Sequence, residues 1–300
     1  MTQLALLTTD FLGPLSSGPN ATHRFIAEDD LPLVAALERE GYPVTPIFWR
    51  AEADAFAEFD ICLVRSPLDY ILDREAFLNT LRALQKADVA LLNPYETLAW
   101  NSDKTYLAEL SAQGIACVDT FFTATDPSQS LTAIMEAHAW PEVVVKRTIS
   151  AGAHFTHRVA FAEAAAFEAQ FAEEKRNFSL MVQPFIRQIV SQGEWSLVFL
   201  DGGYSHAVLK KPADGDYRVQ QQHGGSLTPA TPPPELIAQA AKALAAVPSP
   251  WLYARVDGCV LDAEFTLMEL ELIEPELFFR SQKGAAERLA KAIAKYASQA

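Results

Sequence analysis

The sequence predicts an α/β protein, with a small parallel α/β domain at the N-terminus followed by two lobes built mainly on antiparallel strands. Three observations carry that prediction. Strand-like and helix-like segments alternate up to about residue 97; strand-like runs crowd residues 142–210 around one long helical stretch; and "MELELIEPELFF" (268–279) sets acids at alternate positions of an apolar run. Alternation of strand and helix marks a parallel sheet with helical crossovers, whereas closely spaced strands pair antiparallel. Length agrees, since 300 residues, half of them hydrophobic, reach the size at which single cores stop growing, about 250–300 residues.

The first strand is "LALLTT", and "EDDLPLVAALEREG" follows as a helix with apolar residues at helical spacing and Gly41 as its stop. "PVTPIFW" and "FDICLVRS" add strands, residues 73–87 a helix, and "VALLNP" closes the first domain, 1–97. "NSDKTYLAELSAQG" opens a new helix with Asn101 or Ser102 as N-cap and Gly114 as its end. The middle lobe, 98–185, then carries "EVVVKR", "FTHRVA", a helix near 162–175 and "SLMVQPFI". In the last lobe, 186–300, "EWSLVFL" and "YSHAVLKK" are joined by Asp201-Gly202-Gly203. "TPATPPPE" leads into an alanine-rich helix at 235–246, and a helix from Ala285 ends the chain.

A formal charge of −14 and a pI near 4.9 argue against nucleic acid or an anionic membrane as partner, because phosphate backbones need a basic face. The opening residues lack the basic flank and long apolar core of a signal peptide, and no window approaches the ~20 apolar residues of a membrane span. Cys62, Cys117 and Cys259 are far apart in apolar contexts, which reads as buried thiols in a reducing, cytoplasmic compartment. A small-molecule substrate fits this balance, and a homodimer is left open.

The acid row gains meaning from its partner strand. "WLYARVDGCVLDAEFTLMELELIE" reads as a hairpin; with Asp262-Ala263-Glu264 as the turn, Leu261 faces Phe265, Asp257 lies opposite Glu269 and Arg255 opposite Glu271, all four on one face. Val256, Leu270 and Leu272 then point to a core. Acids directly across a strand pair repel, so a cation is expected between them. Hard carboxylate oxygens without His or Cys suit Mg²⁺. The competing reading is a solvated face whose acids pair with Arg255 and lysines.

No GxxxxGK[ST] loop and no GxGxxG turn occurs, so phosphate must be held by basic side chains: Lys104, Lys146, Lys210 and Arg218 are candidates. Each has an ordinary alternative, as a first-turn lysine, a strand-end lysine with a snorkelling stem, or a loop arginine. The "HGGS" loop offers the backbone N–H groups of Gly224 and Gly225 to an oxyanion, or is simply a turn. Arg65 and Ser66 end a parallel strand, where α/β sheets commonly bind ligands; the alternative for Arg65 is a salt bridge to Asp69.

In order, "WNSDK", "VKRTISAG", "GEWSLVF", "SHAVLK", "DYRVQQQHGG", "YARVD" and "MELELIEPELF" resemble the motif series of the ATP-grasp superfamily over about residues 98–280, with "VRSPLDY" ahead of them at 64–70. The similarity is to glutathione synthetases and, more closely, to the group that includes the D-cycloserine-forming cyclo-ligase. The resemblance implies a Rossmann-like pre-ATP-grasp domain followed by a two-lobed ATP-grasp fold. It implies ATP with Mg²⁺, two ions rather than one and Mn²⁺ as a substitute, held by Asp257, Glu269 and Glu271. Lys104 and Lys146 would bind phosphates beneath a lid containing Gly152, with Lys210 and Gln220 beside them. Gln183, Phe185 and Ile186 would read adenine, Glu194 the ribose, and Arg218 the transferred phosphoryl group. Substrate contacts would fall to Arg65, Ser66 and Arg255.

The activity implied is ligation of a small amino-acid-like carboxylate to an amine or related nitrogen through an acyl phosphate. The alternatives are a non-catalytic ATP sensor and an ATP-grasp kinase. This sequence departs from the pattern in four places: one glycine in the phosphate loop, Gln220 for Asn, Glu271 for Asn, and Pro67-Leu68 where Thr-Trp is usual.

Overall fold

A computed structural model describes residues 2–9, 21–124, 126, 128–151, 155–219 and 224–299, and for 21–27 the backbone alone. Gly152 and Gln220 lie outside the described residues, as do His154 and His223.

Strands β1 (Leu4–Thr8), β2 (Val44–Phe48), β3 (Ile61–Ser66) and β4 (Ala90–Leu92) form a parallel sheet in the order β2-β1-β3-β4. β1 and β3 are buried at every residue, as expected for central parallel strands covered on both faces. Helix α2 (Arg74–Lys86), N-capped by Asp73, covers one face through Phe77, Leu78, Leu81 and Leu84. Helix α1 (Ala21–Arg39) covers the other with Leu33, Ala36 and Leu37. These meet Leu289, Ala290 and Ile293 of the final helix α9 (Ala285–Ala297), so the two ends of the chain share a core.

The helix expected from residue 101 begins later, and a separate short helix precedes it. α3 (Tyr95–Asn101) and α4 (Tyr106–Ala112) are separated by a turn, and Lys104 lies in that turn. Neither expected cap serves as one. Asn101 instead exchanges hydrogen bonds with Leu270 O and Leu272 N–H, and Ser102 donates to Ala99 O. A buried amide satisfied by a strand backbone outweighs a local cap here.

β5 (Phe121–Phe122), β6 (Glu142–Arg147), β7 (Thr156–Ala160) and β8 (Leu180–Pro184) form an antiparallel sheet ordered β5-β8-β6-β7. Helices α5 (Leu131–Ala137) and α6 (Phe161–Asn177) close one face over Val143, Val145, Val159, Leu180 and Val182. Period-two alternation puts Lys146 and Gln183 on the opposite face.

The largest sheet is antiparallel, in the order β11 (Ser226–Ala230), β10 (Gly203–Lys211), β9 (Glu194–Leu200), β12 (Tyr253–Leu261), β13 (Glu264–Glu271). The short helix α7 (Arg187–Ser191) leads into β9. Helix α8 (Pro234–Ala245) packs Leu236, Ala240, Ala243 and Leu244 against Leu197, Phe199, Ala254 and Val256. Among the described residues no helix is long and apolar enough to cross a membrane.

The β12–β13 register corrects one expectation and keeps another. The turn is the pair Asp262-Ala263, both at positive φ (49° and 67°), with Leu261 facing Glu264 and Val260 facing Phe265. The expected three-residue turn, with Leu261 facing Phe265, is therefore one residue out. A bulge at Met268 restores the count, since Gly258 faces Leu267 while Asp257 faces Glu269 and Arg255 faces Glu271. The bulge falls where Gly258 lets Phe265 close in: a Cβ at Gly258 would lie 2.5 Å from Thr266 O and 2.6 Å from the Phe265 ring.

Candidate active site

On β12 and β13 the odd-numbered residues Arg255, Asp257, Glu269 and Glu271 share one face, while Val256 and Leu270 enter the core on the other. Arg255 grips Asp257 in a fork, Nε to Oδ1 at 3.0 Å and Nη2 to Oδ2 at 2.8 Å, and Nη2 also meets Glu271. Ser196, opposite Asp257 on β9, donates its hydroxyl to Oδ1 at 2.5 Å. Lys210 Nζ lies 2.5 Å from Glu194 and 3.4 Å from Asp257. Lys104 Nζ lies 3.2 Å from Glu269 and donates to Ser150 O at 2.5 Å.

The cations between these acids are thus side chains. Among the described residues no three His, Cys, Asp or Glu side chains converge at metal-binding spacing. The donor chemistry nevertheless fits a hard divalent ion, because every available ligand on this face is a carboxylate oxygen. The charge fits as well. Burial pushes Glu271 well up, and although Arg255 opposes this, Glu269, Asp257 and Glu274 crowd it further. Burial also lifts Glu274, to about 7. A cation added to this face would relieve that crowding. Asp257 differs: burial raises it, but Arg255 and Lys210 more than offset this and hold it at about 2.

Lysines from three separate elements approach the row. For Lys104, burial favours the neutral amine, but Glu269 with Glu274 and Glu271 overrides this and holds it charged. Lys210 is likewise held charged by Asp257 and Glu194 against burial. Lys146, on β6, is lowered by burial; Glu269 opposes this and Lys104 adds to it. Its ammonium makes no hydrogen bond or ion pair among the described residues. Alternating sign in a buried site gives a surface ready for an anion such as a polyphosphate.

Other expected residues lie further out. Gln183 is buried with its amide on Thr120. The segment after it is held by Phe185 N–H to Glu142 O and Ile189 N–H to Ile186 O. Ile186 packs with Val219, Cys259 and Met268, an apolar wall next to the acid row. Arg218 is partly exposed, and its fork is taken by Asp216, Nη2 to Oδ2 at 2.9 Å. Gly224 holds φ +82°, a conformation that disfavours other residues, and Gly225 follows just before β11.

Arg65 corrects an expectation. It pairs with Asp29 at 3.0 Å and Asp30 at 3.1 Å, both on α1, and not with Asp69, which accepts from the Trp49 indole at 2.7 Å. Arg65 also donates to Pro275 O at 3.0 Å, and Ser66 donates to Thr8 Oγ1 at 3.0 Å. This cluster meets the acid row through one loop, because Arg255 donates to Glu276 O at 3.2 Å. The sequence reading missed Ser196, Ser150, Asp29 and Asp30 as site residues. Ser196 was findable as the residue two after Glu194 on the same strand face.

Comparison with known proteins follows the same lines. Residues 4–93 match the family model of the D-cycloserine synthetase DcsG N-terminal domain. The cycloserine biosynthesis protein DcsG of Streptomyces lavendulae is 28% identical over 298 residues, covering 94% of this chain and 98% of that protein. The crystal structure of D-cycloserine synthetase DcsG superposes with a TM-score of 0.83 at 25% identity, over 98% of this chain and 99% of that one. D-alanine–D-alanine ligase from Bacillus anthracis, also solved with ATP, gives 0.71 at 14% identity, over 100% of this chain and 98% of that one. The ATP-grasp ligase PsnB with its minimal precursor gives 0.63 at 15% identity over 99% of each chain, and it too has been solved with Mg and ADP. The chain is thus similar to DcsG over nearly its whole length, and it shares its fold with D-alanine–D-alanine ligase and the ATP-grasp ligase PsnB.

Proposed function

We propose that the chain is an ATP-dependent, ADP-forming ligase that joins the carboxylate of a small amino-acid-like substrate to a nitrogen nucleophile. One observation carries this reading: Lys104, Lys146 and Lys210, from three elements, converge on the carboxylate row of β12–β13. Homology to DcsG and likeness to ligases solved with ATP, ADP and Mg support it.

A substrate carboxylate oxygen attacks the γ-phosphorus, and the bond to the β-phosphate bridge oxygen breaks to give ADP. The nitrogen then attacks the acyl carbon, phosphate leaves with the bonding pair, and the nitrogen gives up a proton. The protein's part in such chemistry is position and charge neutralisation. Lys104 and Lys146 hold the α- and β-phosphates, with Lys210 and Gln220 beside them and Gly152 in the covering loop. Gln183, Phe185 and Ile186 border the adenine and Glu194 the ribose. Asp257, Glu269 and Glu271 hold Mg²⁺, two ions in this reading with Mn²⁺ as a substitute. When bound, the metal neutralises the phosphate oxygens between which charge moves. Arg218 leaves Asp216 to grip the transferred phosphoryl group, and the N–H groups of Gly224 and Gly225 face the oxyanion. Arg255, with Arg65 and Ser66, faces the substrate.

The test is a melt followed by a screen. Mg-ATP in hundredfold excess over Kd is expected to raise Tm by about 4 °C, with little effect from ATP after chelation of Mg²⁺. ADP release is then read across amino acids and their O- and N-substituted derivatives. An unchanged Tm at millimolar Mg-ATP overturns the reading.

A further inference from the structure

Arg218 stands on the segment between β10 and β11, and the residue before it reaches into the other lobe. Tyr217 Oη donates to Thr156 O at 3.1 Å, and Thr156 is the first residue of β7, directly opposite Lys146 on β6. β7 is the outer strand of its sheet, where main-chain groups are open to partners other than a strand. The Tyr217 ring is seated as well. It meets the Phe185 ring edge-on at 6.1 Å, and the Arg158 guanidinium, 3.9 Å from the Phe185 centroid and paired with Glu142, lies 5.9 Å from the Tyr217 centroid. Burial lifts Tyr217 above the ordinary phenol range, with Arg218 opposing, so the hydroxyl keeps its proton and its role as donor.

The segment is pinned from the other side too. Asp216 accepts from the N–H groups of Tyr217 at 2.7 Å and Arg218 at 2.9 Å, which fixes the backbone between the two. Val219, 3% exposed, packs with Ile186 and Cys259 in the apolar wall next to the acid row. Tyr217, Arg218 and Val219 thus run from the small lobe to the large sheet with the arginine in the middle. We infer that Tyr217 is a positioning residue: its bond to Thr156 makes the Arg218 segment follow the small lobe, so that phosphates settling at Lys146 carry to the arginine that meets the transferred phosphoryl group. The inference rests on the ligase reading, which gives Lys146 and Arg218 those roles, and adds the link between them. The Lys146 ammonium makes no hydrogen bond or ion pair among the described residues, so a phosphate arriving there is a new load on β6 and, across the strand pair, on Thr156.

The probe is Mg-ADP, which brings the α- and β-phosphates but no γ-phosphoryl group for Arg218 to touch. Amide hydrogen exchange of the 212–219 peptide in the full chain is followed with and without it. In the wild type Mg-ADP should slow this exchange by at least about 5-fold, the scale of one hydrogen bond gained or lost in a local opening. In Tyr217→Phe, which keeps the ring against Phe185 and removes only the hydroxyl, the slowing should fall below about 2-fold, while Mg-ADP still raises Tm as it does in the wild type. Arg218→Lys should keep the wild-type slowing, because the link runs through the phenol and not through the guanidinium. Equal slowing in the wild type and Tyr217→Phe, a slowing lost in Arg218→Lys, or none in a wild type whose Tm Mg-ADP does raise, overturns the inference and leaves Tyr217 as a packing contact between the lobes. A wild-type Tm that moves with neither Mg-ADP nor Mg-ATP overturns the ligase reading itself.

Discussion

Arg65 and Arg255 are both buried, both held by two carboxylates, and both donate to carbonyls of one loop, Pro275 and Glu276. They differ in where their acids come from and in what is left over. Arg255 is served by its own hairpin, from position i+2 and from directly across the strand pair. Arg65 is served by a helix some thirty-five positions upstream, and its cluster keeps a free donor and a free acceptor. The Arg255 cluster is thus a self-contained charge array on a rigid sheet, and the Arg65 cluster is an unfinished one between layers.

The largest expected effect separates catalysis from stability within the Arg255 cluster. Glu269→Gln removes the ion-pair partner of buried Lys104, which Glu274 and Glu271 still help to hold charged, so turnover should fall by about 10³-fold with a smaller loss of Tm than Asp257→Asn gives. Asp257→Asn should lose as much turnover and also stability, because Arg255 and Lys210 then keep buried charge without full compensation, at a cost of about 3 kcal/mol. Single-turnover ADP formation and melts on the same preparations check both. Equal stability losses would mean that the two acids are structurally equivalent.

Arg218 sharpens the contrast by being the exposed case. Arg218→Lys should leave Tm and ATP affinity nearly unchanged while kcat falls by about 10²-fold, since a lysine cannot reproduce a two-pronged grip on a phosphoryl group. Weakened ATP binding at normal kcat would make it a ground-state clamp instead.

Arg65→Met should lower stability by about 3 kcal/mol at pH 8 by leaving Asp29 and Asp30 without their cation. The loss should shrink at pH 5. Burial already raises Asp29, with Arg65 opposing it, so removing Arg65 raises it further and a proton can take the place of the guanidinium. Melts at the two pH values give the comparison.

The smallest effect is a slope. Burial lifts Glu276 to about 7, with Arg280 opposing it, from an ordinary 4.5. A carboxyl raised in the folded state binds more protons there than when unfolded, so stability falls as pH rises from about 4.5 to about 7 and is flat above. Glu276→Gln should make that fall shallower by up to about 3 kcal/mol in melts between pH 5 and pH 8. Asp257, held at about 2, acts in the opposite direction and only below about pH 4.

This same contrast explains what could be read from the sequence. Strand periodicity makes neighbours on a face countable, so Asp257–Glu269 and Arg255–Glu271 were legible although the turn was miscounted; the Met268 bulge compensated the error. The parallel domain was legible because its central strands are continuous apolar runs. Asp29 and Asp30 were visible only as the start of an amphipathic helix, since no local pattern says which strand end a helix will dock against. Asn101 was mistaken for a cap because its partners, Leu270 and Leu272, lie about 170 positions away.

The loop after β13 is anchored from several sides. Pro275 O takes Arg65, Glu276 O takes Arg255, the N–H groups of Leu277 and Phe279 donate to Asp29, and Leu277 O is bonded to His206. Five consecutive residues thus act as a rivet through the N-terminal domain and the large sheet. For engineering, this means the first domain is not an interchangeable cartridge: a chimera that imports residues 4–93 from a relative must import the matching rivet as well, or Asp29 will face a loop it cannot hold.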